Sequence, residues 1–195
     1  MKKLLTTLLL SSFIFIAFAQ IDQLPDRPKA TKKFQLEEAA VELQAYPAGL
    51  MPGIRGDFYL NRYAEANLRL GLNIADRQDW GEHDKETGSG FGFSLGYRYK
   101  IKGSRKGPFI GARVDIWWMT IDWENIGIKG SASSGSTDIS ILQPTMELGW
   151  KFELSDTWML APTLSFGQEI NIATKGEEVG QGGISLFGFT LGKTF

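Results

Sequence analysis

The chain has no cysteine and only one histidine. The first absence excludes disulfides and thiolate metal sites. The second leaves His83 as the one imidazole for chemistry that needs a general base near neutral pH. Beyond the N-terminal leader, no apolar run approaches the roughly 20 residues a membrane helix requires. An excess of charge is also missing, because 21 Lys and Arg stand against 22 Asp and Glu. That balance points to neither nucleic acid nor an acidic surface as a partner. No segment carries a convincing 3.6-residue apolar period. "FQLEEAAVELQ" comes nearest to one, yet it reads better as a strand than as a helix.

What is present begins with a leader. "MKKLLTTLLLSSFIFIAFAQ" sets two lysines before an apolar run and closes on Ala17-Phe18-Ala19, a small-x-small pattern that predicts a signal peptide over 1–19. No cysteine follows the run, so a lipoprotein signal does not fit. Removing Lys2 and Lys3 takes the formal charge from −1 to −3. Residues 20–33, "QIDQLPDRPKATKK", are polar and hold two prolines, which predicts a flexible periplasmic lead-in.

From Phe34 onward the chain divides into eight strand-like segments, near 37–46, 54–62, 66–75, 89–101, 108–123, 137–153, 157–169 and 183–195. The connections alternate in length. Those around Tyr63–Glu65, "KGSRKG" and "LSD" are short. "DRQDWGEHDKETG", "ENIGIKGSASSGS" and "NIATKGEEVGQG" are long, and only "PAGLMPG" is short for its class. Such alternation predicts an all-β, antiparallel up-and-down barrel with tight turns at one end and longer loops at the other.

Each segment has two faces. In "PFIGARVDIWWMTIDW", Ile110, Ala112, Val114, Ile116 and Trp118 alternate with Gly111, Arg113, Asp115 and Trp117. In the preceding segment, Phe91, Phe93, Leu95, Tyr97 and Tyr99 alternate with Gly92, Ser94, Gly96, Arg98 and Lys100. Two barrels fit this pattern. A soluble lipocalin-like carrier turns its apolar face inward, whereas a membrane barrel turns it to lipid and fills its lumen with the polar face.

Three features favour lipid outside. The polar face is rich in glycine, as a narrow interior needs. Its charges nearly balance, with Arg55, Arg69, Arg98, Lys100, Arg113 and Lys151 set against Glu42, Asp57, Asp115, Glu147 and Glu169. Pairing of that kind matters for buried charge and little for charge in water. Finally, aromatics on the apolar face gather toward strand ends. Tyr97, Tyr99, Trp150, Phe152, Trp158 and Phe195 lie by the short turns, and Phe91, Trp118, Phe166 and Phe187 lie near the long loops, which predicts two interfacial girdles. Pro144 and Pro162 oppose the strand assignment, since each deletes a ladder hydrogen bond, and a bulge or local break is expected beside each.

The chain ends on "GISLFGFTLGKTF", with Phe187, Phe189, Leu191 and Phe195 on one strand face. With that ending it resembles the small eight-stranded outer-membrane barrels, the group of OmpX and of the OmpA transmembrane domain. The resemblance covers about residues 34–195 and rests on pattern, with no catalytic motif. It implies an integral protein of the Gram-negative outer membrane in contact with outer-membrane lipid. It also implies a C-terminal strand read by the outer-membrane insertion machinery through Phe187, Phe189, Leu191 and Phe195. Lys193 departs from that signal, which prefers an apolar residue there; its ammonium can reach headgroups by snorkelling. No peptidoglycan-binding domain of the OmpA kind is expected after the barrel.

Chemistry is sparse. His83 could join Asp79, Glu82, Asp84 and Glu86 around a cation, but the spacing matches no EF-hand and a solvated loop is the expectation. With no histidine on a strand, a Ser–His hydrolase lacks its base. The low-complexity "GSASSGS" is expected to be mobile. No cofactor or metal is expected. Eight strands leave room only for side chains, so the lumen charges predict an electrostatic core in place of an ion path. The expected function is non-enzymatic: a membrane anchor or scaffold presenting loops, or an accessory of a larger envelope complex. The soluble carrier and a lipid-modifying enzyme stand as the alternatives.

Overall fold

Residues 35–78, 81–126 and 132–195 are described in the computed structural model. The leader, the lead-in, Phe34 and Asp79 lie outside the described residues. Eight strands follow in order: β1 (Gln35–Tyr46), β2 (Gly49–Asn61), β3 (Ala64–Gln78), β4 (Lys85–Lys100), β5 (Gly107–Asn125), β6 (Ser133–Glu153), β7 (Trp158–Lys175) and β8 (Gly182–Thr194). Each pairs antiparallel with its neighbour in sequence, and β8 pairs with β1 to close the ring. Closure leaves no open sheet edge, the condition hydrocarbon imposes on a sheet. The described part of "FQLEEAAVELQ", from Gln35 onward, is strand: from Glu38 to Gln44 it pairs with β2 on one side and β8 on the other.

The short turns are tight. Between β4 and β5, the Gly103 amide donates to the Lys100 carbonyl at 2.9 Å, and Gly103 has φ +57°, a left-handed conformation that glycine adopts without strain. Between β6 and β7, the Leu154 amide donates to the Trp158 carbonyl at 2.9 Å.

The strands run further at the long-loop end than the sequence suggests. Gly49–Gly53, read as part of a loop, belong to β2 and leave Pro47 and Ala48 as the β1–β2 connection. Asp76–Gln78, Lys85–Gly88 and Asn171–Lys175 are likewise strand. Of the glycine–serine stretch expected to be mobile, Ser133–Ser136 are paired with β5 opposite Asp122–Asn125. Composition hid most of these extensions because outward residues such as Asp76, Gln78, Lys85, Ser134 and Ser136 are polar.

Both prolines sit in the β6–β7 seam. The ladder steps from Leu142↔Ile170 to Thr145↔Gly167, and from Gly149↔Thr163 to Phe152↔Leu160, omitting the pairs at Pro144 and Pro162. The register is the same before and after each omission, so each proline makes a local break without a slip. A bulge lies nearby, between Ser140 and Ile141. A second bulge, between Leu36 and Glu38 of β1, matters for the interior. Because every strand is bonded on both sides, opening the barrel without heat should be slow. Boiled and unboiled samples of refolded protein are expected to migrate differently in SDS gels; equal mobility would contradict a closed ring.

Candidate functional site

The wall of the lower and middle barrel is apolar outside. Leu70, Leu95, Ile110, Val114, Met146 and Leu148 are among the residues exposed on it. The aromatic residues noted in the sequence also face outward here: Phe91, Trp118, Trp150, Phe152, Trp158, Phe166, Phe187 and Phe195 are exposed, and Tyr97 and Tyr99 are half-buried. Phe91 lies 5.5 Å from Trp118 between ring centroids, and Phe187 meets Phe189 edge-on at 4.7 Å. Phe189 and Leu191 are outward on β8, as is Lys193, which is paired with Trp158 on one side and Ala39 on the other.

Inside, charge is organised around hubs of opposite sign. Glu42 is the anionic hub, accepting from Arg55 Nη1 at 2.5 Å and facing Arg69 Nε at 3.1 Å and Arg113 Nη1 at 3.3 Å. Arg113 Nε also donates to Asp115 at 2.9 Å, and Asp115 accepts from the Ser94 hydroxyl. Arg98 grips Glu147 through two nitrogens, the Nη2 contact measuring 3.1 Å. Nearer the short turns, Lys151 is the cationic hub, with Glu38 at 3.2 Å, Asp57 at 3.2 Å and Glu65 at 2.9 Å. Lys100 lies 3.6 Å from both Glu37 and Glu65. Glu169, near the loop end, accepts from Arg77 Nη2 at 2.9 Å. Each of these charges has an opposite partner within 4 Å, the arrangement that makes burial of ions tolerable. Arg69 and Arg98 also lie over the Trp117 and Phe109 rings, at 5.4 and 4.6 Å.

Five charged residues were not assigned to the lumen from the sequence. Glu37 and Glu38 are adjacent, so strict alternation would send one outward; the β1 bulge turns both inward. Glu65 was assigned to a turn, and Arg77 and Glu86 to a loop. Continuing the alternation from Leu72 and Ile74 would have placed Arg77 inside.

The upper interior differs from the expected polar lumen. Trp117, Met119, Ile121, Trp123, Ile139 and Ile141 form a buried apolar cluster there. On the same length of strand the outward residues Thr120, Asp122, Glu124, Ser136 and Asp138 are polar and exposed. The two faces exchange character just above Trp118. Water outside favours an apolar core inside, so this section follows the rule of a soluble barrel while the section below follows that of a membrane barrel. β5 and β6, with 19 and 21 residues, carry both sections. A span needs only roughly 9–11 residues per strand.

The β7–β8 connection closes the top. Val179 is buried in the apolar cluster, and Gly180 donates to Glu86 at 3.1 Å while its carbonyl accepts from Arg77 at 2.6 Å. His83 is not solvated. Its ring stacks on Trp123 at 4.3 Å, and its nitrogens contact Asn125 Oδ1 at 3.2 Å and the Glu178 carbonyl at 3.1 Å. Glu86, a candidate cation ligand beside it, is committed to the Gly180 and Glu82 amides. Among the described residues, no three histidines or carboxylates converge as a metal site.

Among solved structures, the chain is similar to Neisserial surface protein A, with a TM-score of 0.51 and 14% identity over 84% of this chain and 100% of that one. Its fold is that of the small eight-stranded outer-membrane barrels. The attachment invasion locus protein Ail of Yersinia pestis matches with a TM-score of 0.47 and 8% identity, over 83% of this chain and all of that one. The N-terminal barrel domain of Pseudomonas aeruginosa OprF matches at 0.45 and 14%, over 82% and 99%. No family model and no curated protein matches the chain by sequence. The closed fold, the apolar wall and the ion-paired lumen together make this a membrane-spanning β-barrel.

Proposed function

We propose that the protein is a non-enzymatic surface anchor: a sealed barrel that holds a rigid, sheet-built platform above the outer membrane. The observation that carries this reading is the exchange of faces above Trp118. Polar residues outside and a buried aromatic core inside let β4, β5 and β6 continue into water as sheet, so the exposed end has a fixed shape. His83 on Trp123, together with the fold of residues 176–181 over the lumen, stiffens it further.

A sealed lumen supports the same reading. Around Lys151, Lys100 and their carboxylates the free volume is about 10 Å³, room for no more than about one water. The aromatic residues at the two levels of the wall anchor the barrel in the bilayer interfaces. Phe187, Phe189, Leu191 and Phe195 present the C-terminal strand to the insertion machinery, and a larger envelope complex is the natural partner for the platform.

Labelling of intact cells tests the reading. The chain lacks cysteine, so Asp122→Cys and Val114→Cys each carry one thiol. A membrane-impermeant maleimide is expected to label Asp122→Cys on whole cells and to leave Val114→Cys unmodified. Labelling of Asp122→Cys only after lysis would contradict a surface platform.

A further inference from the structure

The two ends of the barrel differ in charge. At the long-loop end Asp76, Glu82, Asp84, Asp122, Glu124 and Asp138 are exposed, and Lys85 and Lys175 are the exposed cations there among the described residues. At the short-turn end the balance reverses. Arg62 in the β2–β3 turn and Lys102, Arg105 and Lys106 in the β4–β5 turn are all exposed. These two turns touch. The Lys100 amide donates to the Tyr63 carbonyl at 2.6 Å, and Arg62 Nε donates to the Gly103 carbonyl at 3.3 Å. Tyr63 also stacks on Tyr99, with ring centroids 6.0 Å apart. The cations of both turns therefore share one corner of the barrel.

Two of these cations are neutralised within the protein. Arg105 Nε lies 3.3 Å from Glu37, and Lys106 Nζ lies 3.2 Å from Glu153. Arg62 and Lys102 make no ion pair among the described residues. Both rest on aromatic rings instead. The Arg62 guanidinium is 5.5 Å from the centre of the Tyr63 ring, and the Lys102 ammonium is 6.0 Å from that of Trp150. Trp150 is exposed on the apolar wall, and an outward tryptophan at a strand end marks the headgroup level of a bilayer. The two unpaired cations thus lie against the wall at the depth of lipid phosphates.

The chemistry of the corner defines its occupant. Arg62 uses Nε on Gly103 and leaves both Nη atoms open, the planar fork that takes two oxygens of a phosphate. Lys102 adds a compact point charge beside it. A zwitterionic head would bring its own cation into a corner that is already positive, whereas an anionic head brings negative charge alone. A phosphate free in water gains nothing from the wall. A lipid phosphate can lay its acyl chains along it, where Trp150, Leu148 and Met146 are exposed on β6. We propose that the β2–β3 and β4–β5 turns clamp the phosphate of an anionic phospholipid in the leaflet at the short-turn end. The carboxylates at the other end repel the same head group, so the preference is one-sided.

The full chain refolded in phosphatidylcholine nanodiscs, with backbone amides followed by NMR, supplies the test. Phosphatidylglycerol, replacing phosphatidylcholine stepwise, is the membrane probe, and glycerol phosphate in buffer is the water-borne control. With the lipid, the Arg62, Lys102 and Gly103 amides are expected to shift in a saturable way while those of Lys85 and Lys175 stay in place. Arg62→Gln and Lys102→Gln are each expected to raise the half-saturating lipid fraction, read at Gly103, about fivefold, the worth of one cation near an anionic lipid. Lys193→Gln removes an exposed cation from β8, across the ring from β4. It is expected to change that fraction less than about twofold, because salt screens charges beyond the Debye length. Unshifted amides in the wild-type protein would overturn the proposal. An equal rise in Lys193→Gln would mean diffuse attraction by net charge and would overturn it too. A matching response to glycerol phosphate would mean a site for soluble phosphate and do the same.

Discussion

Glu42→Leu is expected to lower the urea stability of the refolded barrel by roughly 3–5 kcal/mol, the range for removing one member of a buried ion pair. Glu42 is 4% exposed and stands between Arg55, Arg69 and Arg113, with the Thr190 hydroxyl donating to it as well. Leucine fills the space but leaves three guanidiniums facing one another in a medium that screens them poorly. Their other partners, Asp57 for Arg55 and Asp115 for Arg113, remain but cannot replace the shared centre. Urea titration of Glu42→Leu, Arg113→Leu and the double variant in vesicles measures the coupling directly. A coupling above about 1 kcal/mol is expected for residues in one network. Additive losses would mean that the lumen charges act independently.

The second large effect is positional. Val114 and Asp122 have the same outward parity on β5, with Val114 below Trp118 and Asp122 above it. Val114→Arg is expected to cost roughly 2–4 kcal/mol, because it sets a cation against hydrocarbon near the middle of the bilayer. Asp122→Arg, in water, is expected to change stability by no more than about 0.5 kcal/mol. The same substitution four turns of the pleat apart thus reads out where the faces exchange. Similar costs at both sites would place the whole strand in one medium.

Much of the architecture was legible in the sequence. Eight segments alternate between apolar and polar faces, the connections alternate in length, and period-two patterning survives even where composition is mixed. The strands on which Glu42, Arg55, Asp57, Arg69, Arg98, Arg113 and Glu147 lie could be read directly, because these charges interrupt otherwise apolar or glycine-rich runs. Their grouping into an anionic and a cationic hub could not, since it depends on the stagger between strands that closure imposes. Glu37 and Glu38 were hidden by a bulge, which one strand alone does not reveal.

The upper barrel was misread for a different reason. Stretches such as "ENIGIKGSASSGS" look like loop when polar means solvent-facing on both sides, but Trp123 and Ile139 keep the alternation going with its sense reversed relative to the membrane section. A single rule for which face is apolar fails in a strand that crosses two media. The burial of His83 was not legible because its partners, Trp123, Asn125 and the Glu178 carbonyl, come from parts of the chain far apart in sequence.

Because the chain has no cysteine, single nitroxide labels can be placed without background. Labels at Leu70, Val114 and Phe187, which point outward, and at Thr163 and Thr190, which point inward, can be compared in refolded vesicles by power-saturation EPR with oxygen and with a water-soluble nickel chelate. Oxygen, which concentrates in hydrocarbon, is expected to relax the three outward labels strongly while the chelate leaves them untouched. The two inward labels are expected to be shielded from both reagents. Outward labels open to the nickel chelate, with oxygen reaching only the inward ones, would contradict a barrel that faces lipid with its apolar wall.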